Sequence, residues 1–234
     1  MVDSSVARET RASGTPALGA PRPMDRLIVR GSVIEIVGYV LSQVLRLATN
    51  MILAHLLFPE AYGLTAIVTV FMVALSMLTD VGLRDSIISN ERGDEVDFLN
   101  TAWTIQVIRG FGLWALATAM AWPVAWLYRQ PELVPLIAVA SVGMIIHGFG
   151  ATKVHTLARK VYRGPLLVVE ITSKLVSMVV MFVWAKLSPS VWALVAGGLT
   201  QTALEVAGGH FLPVGYNNRF RWDDSAARTI RSFG

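Results

Sequence analysis

Six apolar stretches follow one another after residue 30, and short polar connections separate them. We place them at residues 33–56, 63–83, 102–127, 133–151, 165–186 and 191–212. Each is close to the ~20 residues that an α-helix needs to cross a bilayer. The pattern predicts an all-α integral membrane protein with six transmembrane helices.

The composition agrees with this prediction. Hydrophobic residues make up 54% of the chain and charged residues only 15%, whereas a soluble domain carries about a quarter of charged residues. The chain has no cysteine, which excludes a disulfide framework and a thiolate metal site. Neither a phosphate-binding P-loop nor a hydrolase motif occurs, so we expect neither enzymatic activity nor a cofactor.

The sequence divides into three segments. Residues 1–30 are rich in Ser, Pro, Gly and Arg and lack the apolar core of a signal peptide, which predicts a disordered cytosolic tail. Residues 31–214 hold the six apolar stretches. Residues 215–234 are polar and predict a short cytosolic segment.

The distribution of Lys and Arg predicts the orientation. Of 20 such residues, 15 lie in the tail, in the connections after the second and fourth stretches, and after the sixth. The opposite connections hold only Arg129 and Lys186. Because positive charge favours the cytosolic side, the amino terminus is expected in the cytosol. Trp122, Trp126, Trp184 and Trp192 would then form an aromatic belt on the outer side.

The first apolar stretch contains an unexpected row of polar residues. At 100° per residue they fall within about a third of the helix circumference. We call this row the polar stripe; it consists of Glu35, Tyr39, Ser42, Gln43, Arg46, Thr49 and Asn50. An arginine at mid-membrane costs about 2.5–3.5 kcal/mol on insertion scales. Arg46 therefore either pairs with a carboxylate of a neighbouring helix or lines a polar cavity.

Three other stretches also carry polar residues. Glu170 and Lys174 have the i, i+4 spacing of an intrahelical ion pair, which indicates either structural neutralisation or a place in a cavity. Glu205 lies one turn after Gln201, and its carboxyl either carries a coupling proton or bonds a neighbour. Arg109 lies nearer the cytosolic edge, where its guanidinium could reach the headgroups.

These residues form two candidate sets. The candidate cavity-lining residues for substrate binding are Arg46, Gln43, Asn50, Lys174 and Arg109. The candidate ion-coupling residues are Glu170, Glu205 and Glu35.

Several segments contain motifs that are found together in one family of membrane proteins. Residues 52–89 contain a Pro-Glu-x-Tyr-Gly-Leu turn at 59–64 and an Asp-x-Gly-Leu motif at 80–83. These motifs resemble the first helical hairpin of the oligosaccharide flippase family. The segments FLNTAWTIQVIRG, SPSVWALVAGGL and FRWDDSAARTIRSFG are similar to the third helix, the sixth helix and the segment before the seventh helix of that family. The resemblance covers residues 31–234 and involves mainly scaffold residues; Asp80 itself is expected to cap a turn.

The resemblance implies a two-lobe exporter in the bacterial inner membrane. Such a protein would move an undecaprenyl-pyrophosphate-type lipid-linked glycan by alternating access, for polysaccharide or O-antigen export. Arg46 would then hold the pyrophosphate, with Lys174 and Arg109 as secondary candidates. The six stretches would form only the first lobe, with the second lobe supplied by the same polypeptide or by a partner chain.

Two alternatives remain at this point. An exporter of cations or drugs, as in the multidrug and toxin exporters, would use carboxylates such as Glu170 and Glu205 as ligands. A half-lobe that transports nothing and assembles with a partner would require that partner to cover its polar faces. No nucleic-acid partner is expected, because the basic residues lie beside apolar stretches.

Overall fold

The computed structural model describes residues 23–78, 95–152, 154, 164–212 and 218–223. Within these ranges the regular structure is entirely helical, which confirms the all-α prediction. The helices are α1 (Pro23–Ala54), α2 (Pro59–Leu78), α3 (Val96–Tyr128), α4 (Leu133–Ala140), α5 (Val142–Gly148), α6 (Gly164–Leu187) and α7 (Trp192–Phe211).

Every predicted apolar stretch contains a helix, although the boundaries differ. Helix α1 begins at Pro23, within the predicted tail, and residues 1–22 lie outside the described ranges. Helix α2 begins at Pro59 rather than near residue 63. Proline fits the first position of a helix, because a backbone N–H at that position would make no hydrogen bond within the helix. Asp80 and most of the predicted cytosolic connections also lie outside the described ranges.

The fourth stretch forms an interrupted helix. Helices α4 and α5 meet at Ser141, whose backbone stays near helical values (φ −67°, ψ −13°). The Ser141 hydroxyl is buried and donates a hydrogen bond to the carbonyl oxygen of Ala138 at 2.9 Å. We therefore treat α4 and α5 as one structural unit.

Among the described residues, four helices are long and apolar enough to cross a membrane, over Glu35–Ala54, Pro59–Met77, Val96–Tyr128 and Gly164–Leu187. The α4–α5 unit spans only Leu133–Gly148. Helix α7 has 20 residues, but Gln201, Glu205 and four glycines lower its hydropathy. Many large apolar side chains on the helices are exposed, among them Leu47, Met51 and Met77. An aliphatic surface of this kind suits a lipid environment, and the chain is a multi-pass membrane protein.

The helices pack in a spatial order that differs from the sequence order. Helix α1 packs on α6, α6 packs on α7, and α7 packs on the α4–α5 unit. The α4–α5 unit packs on α3, and α2 contacts both α3 and α4. The buried core lies mainly between α2, α3, α4 and α7, where Leu133, Leu136 and Ile137 are almost completely buried.

Two glycines permit a close crossing of α3 and α5. A Cβ atom at Gly110 of α3 would lie 2.7 Å from the carbonyl oxygen of Met144 in α5. A Cβ atom at Gly148 would lie 3.1 Å from the carbonyl oxygen of Gln106. Both obstacles are backbone atoms, so only residues without a Cβ permit α3 and α5 to approach this closely.

Candidate functional site

The structure divides the polar stripe of α1 into two parts. Ser42 is buried and Thr49 half-buried, on the side of α1 that packs against α6. Tyr39, Arg46 and Asn50 lie beside them and are exposed. The division follows from packing, because α1 turns the edge of its stripe, rather than the centre, toward α6.

The buried part of the stripe joins an ion pair of α6. Lys174 Nζ lies 2.5 Å from Glu170 Oε1, which confirms the predicted i, i+4 pair. Ser42 Oγ donates to the same carboxylate oxygen at 3.2 Å and also accepts a hydrogen bond from Lys174. The charge of Lys174 is thus balanced within the α1–α6 interface.

The exposed part of the stripe has few partners. We call Tyr39, Gln43, Arg46 and Asn50 the exposed flank of α1, although Gln43 is half-buried. Gln43 Nε2 donates to the Tyr39 hydroxyl at 3.0 Å. The Tyr62 hydroxyl, from the first turns of α2, donates to the Asn50 carbonyl oxygen at 3.4 Å.

Arg46 takes part in none of these hydrogen bonds. Its guanidinium makes neither a hydrogen bond nor an ion pair with any residue in the described ranges. Of the two possibilities open from the sequence, a carboxylate partner on a neighbouring helix does not occur among the described residues. Arg46 lies within the Glu35–Ala54 span, far from both of its ends.

Arg109 lies in a separate cleft between α2, α3, α5 and α7. The cleft has a volume of about 540 Å³, and its polar lining residues are Ser76, Gln106, Arg109, His147 and Thr202. Arg109 Nη2 donates to the Ser76 carbonyl oxygen at 2.9 Å, so this side chain contacts the end of α2. Gln106 Nε2 donates to the His147 carbonyl oxygen at 2.9 Å and so ties α3 to α5.

The candidate coupling carboxylates do not meet in one place. Glu170 belongs to the α1–α6 interface, and Glu205 of α7 accepts a hydrogen bond from Gln201 at 2.9 Å. Glu35 is exposed near the beginning of the α1 span. Within the described ranges, no three His, Asp or Glu side chains lie close enough together to hold a metal ion.

The segment 218–223 binds the first turns of α3, a contact that the sequence did not indicate. The backbone N–H of Arg219 donates to Asn100 Oδ1 at 2.9 Å, and that of Asp223 donates to Thr101 Oγ1 at 3.1 Å. Arg221 forms an ion pair with Asp97 at 2.9 Å. The side chains of Asn100 and Thr101 are buried, and these donors satisfy their polar atoms.

The candidate substrate residues therefore occupy three places. Gln43, Arg46 and Asn50 share the exposed flank of α1. Lys174 lies in the α1–α6 interface. Arg109 lies in the cleft between α2, α3, α5 and α7. Sequence reasoning missed Ser76, His147 and Thr202 as lining residues of that cleft. They come from three helices, and no spacing in the sequence links them.

Comparison with known proteins identifies the family. A family model described as polysaccharide biosynthesis protein matches residues 52–234. No curated protein and no solved structure gives a significant match. The matched range holds α2 to α7 and begins after the exposed flank of α1. The match covers most of the sequence and confirms the resemblance found there: the chain belongs to the polysaccharide biosynthesis protein family.

Proposed function

We propose that the chain forms the amino-terminal lobe of a flippase, which moves a lipid-linked oligosaccharide across the bacterial inner membrane. Membership of the polysaccharide biosynthesis protein family supports a role in polysaccharide export. The substrate would be a glycan on an undecaprenyl-pyrophosphate-type lipid. The chain would bind and translocate this lipid and would catalyse no reaction on it.

The position of Arg46 carries this proposal. A guanidinium far from either end of a membrane span is unfavourable unless water or an anion accompanies it. Since no described residue neutralises Arg46, an external anion is the simplest partner. A pyrophosphate fits because its oxygens accept the paired N–H bonds that a guanidinium offers.

The rest of the exposed flank suits the glycan. Tyr39, Gln43 and Asn50 provide an aromatic ring and two amides along the same side of α1 as Arg46. From Tyr39 to Asn50 the flank extends about 16 Å along the helix axis. It could therefore contact sugar hydroxyls next to a pyrophosphate held at Arg46.

The carboxylates argue against the alternative, export of organic cations. Glu170 is already paired with Lys174, and Glu205 accepts a hydrogen bond from Gln201. A cationic drug would have to displace these partners. The exposed cation on α1, in contrast, would repel it.

The proposal includes a topology and a partner lobe. All six helical units would cross the membrane, with the α4–α5 unit and α7 placed by their packing on α3 and α6. The amino terminus would lie in the cytosol, as the distribution of Lys and Arg predicts. A second six-helix lobe, in the same polypeptide or a partner chain, would face the exposed flank and close the cavity.

The test is export of lipid-linked glycan in cells that depend on this protein, measured as glycan that becomes accessible on the outer face. Loss of hydrogen bonds to a charged group costs about 1.5–3 kcal/mol. We therefore expect Arg46→Gln to weaken substrate binding at least about tenfold, and export at limiting substrate to fall accordingly. Arg46→Lys should retain part of the activity.

Arg219→Gln is the matched control, because it removes an exposed cation outside the helices. It should leave export unchanged. Export by Arg46→Gln at the wild-type rate, with equal protein in the membrane, would contradict the proposal. Export of a cationic dye that is lost in Glu205→Gln would support the efflux alternative instead.

A further inference from the structure

A cleft at the end of α3 has the chemistry of a lipid site. It has a volume of about 660 Å³ and lies between the last turns of α3 and the start of α4. Its principal lining residues are Trp122, Trp126, Leu127, Arg129, Pro131 and Val134. Trp122 and Trp126 are one helical turn apart and are 70% and 73% exposed. Two indole rings thus stand uncovered beside one cation.

The backbone of Arg129 is unusual for an arginine. Its φ of 54° and ψ of 35° lie in the left-handed region, and no other non-glycine residue of the described ranges has a positive φ. This turn ends α3, with Gln130 N–H donating to Ala125 O at 3.0 Å and Arg129 N–H to Trp126 O at 3.2 Å. Glycine is the usual residue at such a position. The backbone therefore does not account for the arginine.

The side chain of Arg129 has no counter-ion in the part of the chain that the structure describes. It is exposed, and Glu132, three residues later, makes no ion pair with it. Arg129 is also the only charged residue among the lining residues of the cleft. The cleft thus presents one positive charge at the edge of an otherwise largely apolar surface.

We propose that this cleft binds an anionic glycerophospholipid. The lipid phosphate would accept hydrogen bonds from the Arg129 guanidinium, and an acyl chain would cover Trp122, Trp126 and Leu127. Tryptophan suits this position because its ring is amphipathic and favours the membrane interface. A free phosphate would meet the charge but would leave both indole rings uncovered. The site is independent of the proposed flippase activity and of the direction in which the chain crosses the membrane.

The test compares lipid binding in the purified, delipidated protein by native mass spectrometry, with phosphatidylglycerol and phosphatidylcholine as probes. One Arg near an anionic lipid surface corresponds to about fivefold in affinity. We expect Arg129→Gly to lose about that factor for phosphatidylglycerol and less for phosphatidylcholine, because the choline cation offsets the charge of the phosphate. Because glycine favours the left-handed turn, this variant keeps its fold, and loss of binding cannot be ascribed to misfolding.

Lys186→Ala is the matched control, since Lys186 is a second exposed cation near a helix end. It should bind phosphatidylglycerol as the wild type does. Trp122→Ala combined with Trp126→Ala should weaken the binding of both probes. Equal binding of phosphatidylglycerol by Arg129→Gly and the wild type would overturn the proposal. Competition by millimolar inorganic phosphate would also overturn it, because the site would then recognise an anion and not a lipid.

Discussion

The crossing of α3 and α5 allows a quantitative test, because two glycines two residues apart on α3 differ sharply in their surroundings. A Cβ atom at Gly110 would lie 2.7 Å from the Met144 carbonyl oxygen, whereas a Cβ atom at Gly112 would meet nothing within 4 Å. Both substitutions to alanine gain about 0.5–1 kcal/mol of helix propensity. Only Gly110→Ala must also push α3 away from α5.

The magnitude follows from this difference. Overpacking a well-packed contact costs about 1–3 kcal/mol, and the obstacle here is backbone rather than a flexible side chain. We therefore expect the free energy of unfolding of Gly110→Ala to lie about 1–3 kcal/mol below that of Gly112→Ala. The free energy of unfolding of Gly112→Ala should equal or slightly exceed that of the wild type.

The assay is equilibrium unfolding in mixed detergent micelles, followed by the fluorescence of the seven tryptophans. Arg109 precedes Gly110, so a displaced α3 should also disturb the bond from Arg109 to the Ser76 carbonyl oxygen. If the two alanine variants agree within about 0.5 kcal/mol, the close approach of α3 and α5 is wrong.

Three further predictions concern stability. Lys174→Gln should lower the free energy of unfolding in detergent by about 1 kcal/mol, because the Glu170 carboxylate loses its partner but stays partly exposed. The double variant with Glu170→Gln should recover part of this free energy. Asn100→Ala should remove the acceptor of the Arg219 N–H and raise the rate of amide hydrogen exchange in residues 218–223. The free energy of global unfolding should change less than the free energy of this local opening. Arg129→Gly should raise the free energy of unfolding by about 1 kcal/mol, since glycine adopts the left-handed turn without strain; an unchanged or lower value would contradict this reasoning.

Local patterns in the sequence predicted the helices and one contact between side chains. Hydropathy predicted each helical stretch because membrane helices must be apolar over their length. The pair of Glu170 and Lys174 was predictable because both partners lie one turn apart on the same helix. The interruption at Ser141 was missed, since the apolar run continues through it.

Contacts between distant segments could not be predicted in the same way. The helical projection placed the polar stripe on one side of α1, but it could not show which edge of the stripe faces α6. That edge is the one with Ser42, which bonds Glu170 and Lys174 of α6. In the sequence, Asn100 and Thr101 are ordinary polar residues near the start of a helix. Their role, to accept hydrogen bonds from the backbone of segment 218–223, involves residues more than a hundred positions later.

The proposed function depends on the proposed contact between Arg46 and the pyrophosphate of a lipid-linked glycan. The most direct test is the affinity of the purified protein for undecaprenyl diphosphate, compared between the wild type and Arg46→Gln, with Arg219→Gln as the control. We predict that Arg46→Gln binds at least about tenfold more weakly and that Arg219→Gln binds as the wild type does. Equal affinity of Arg46→Gln and the wild type would contradict the account.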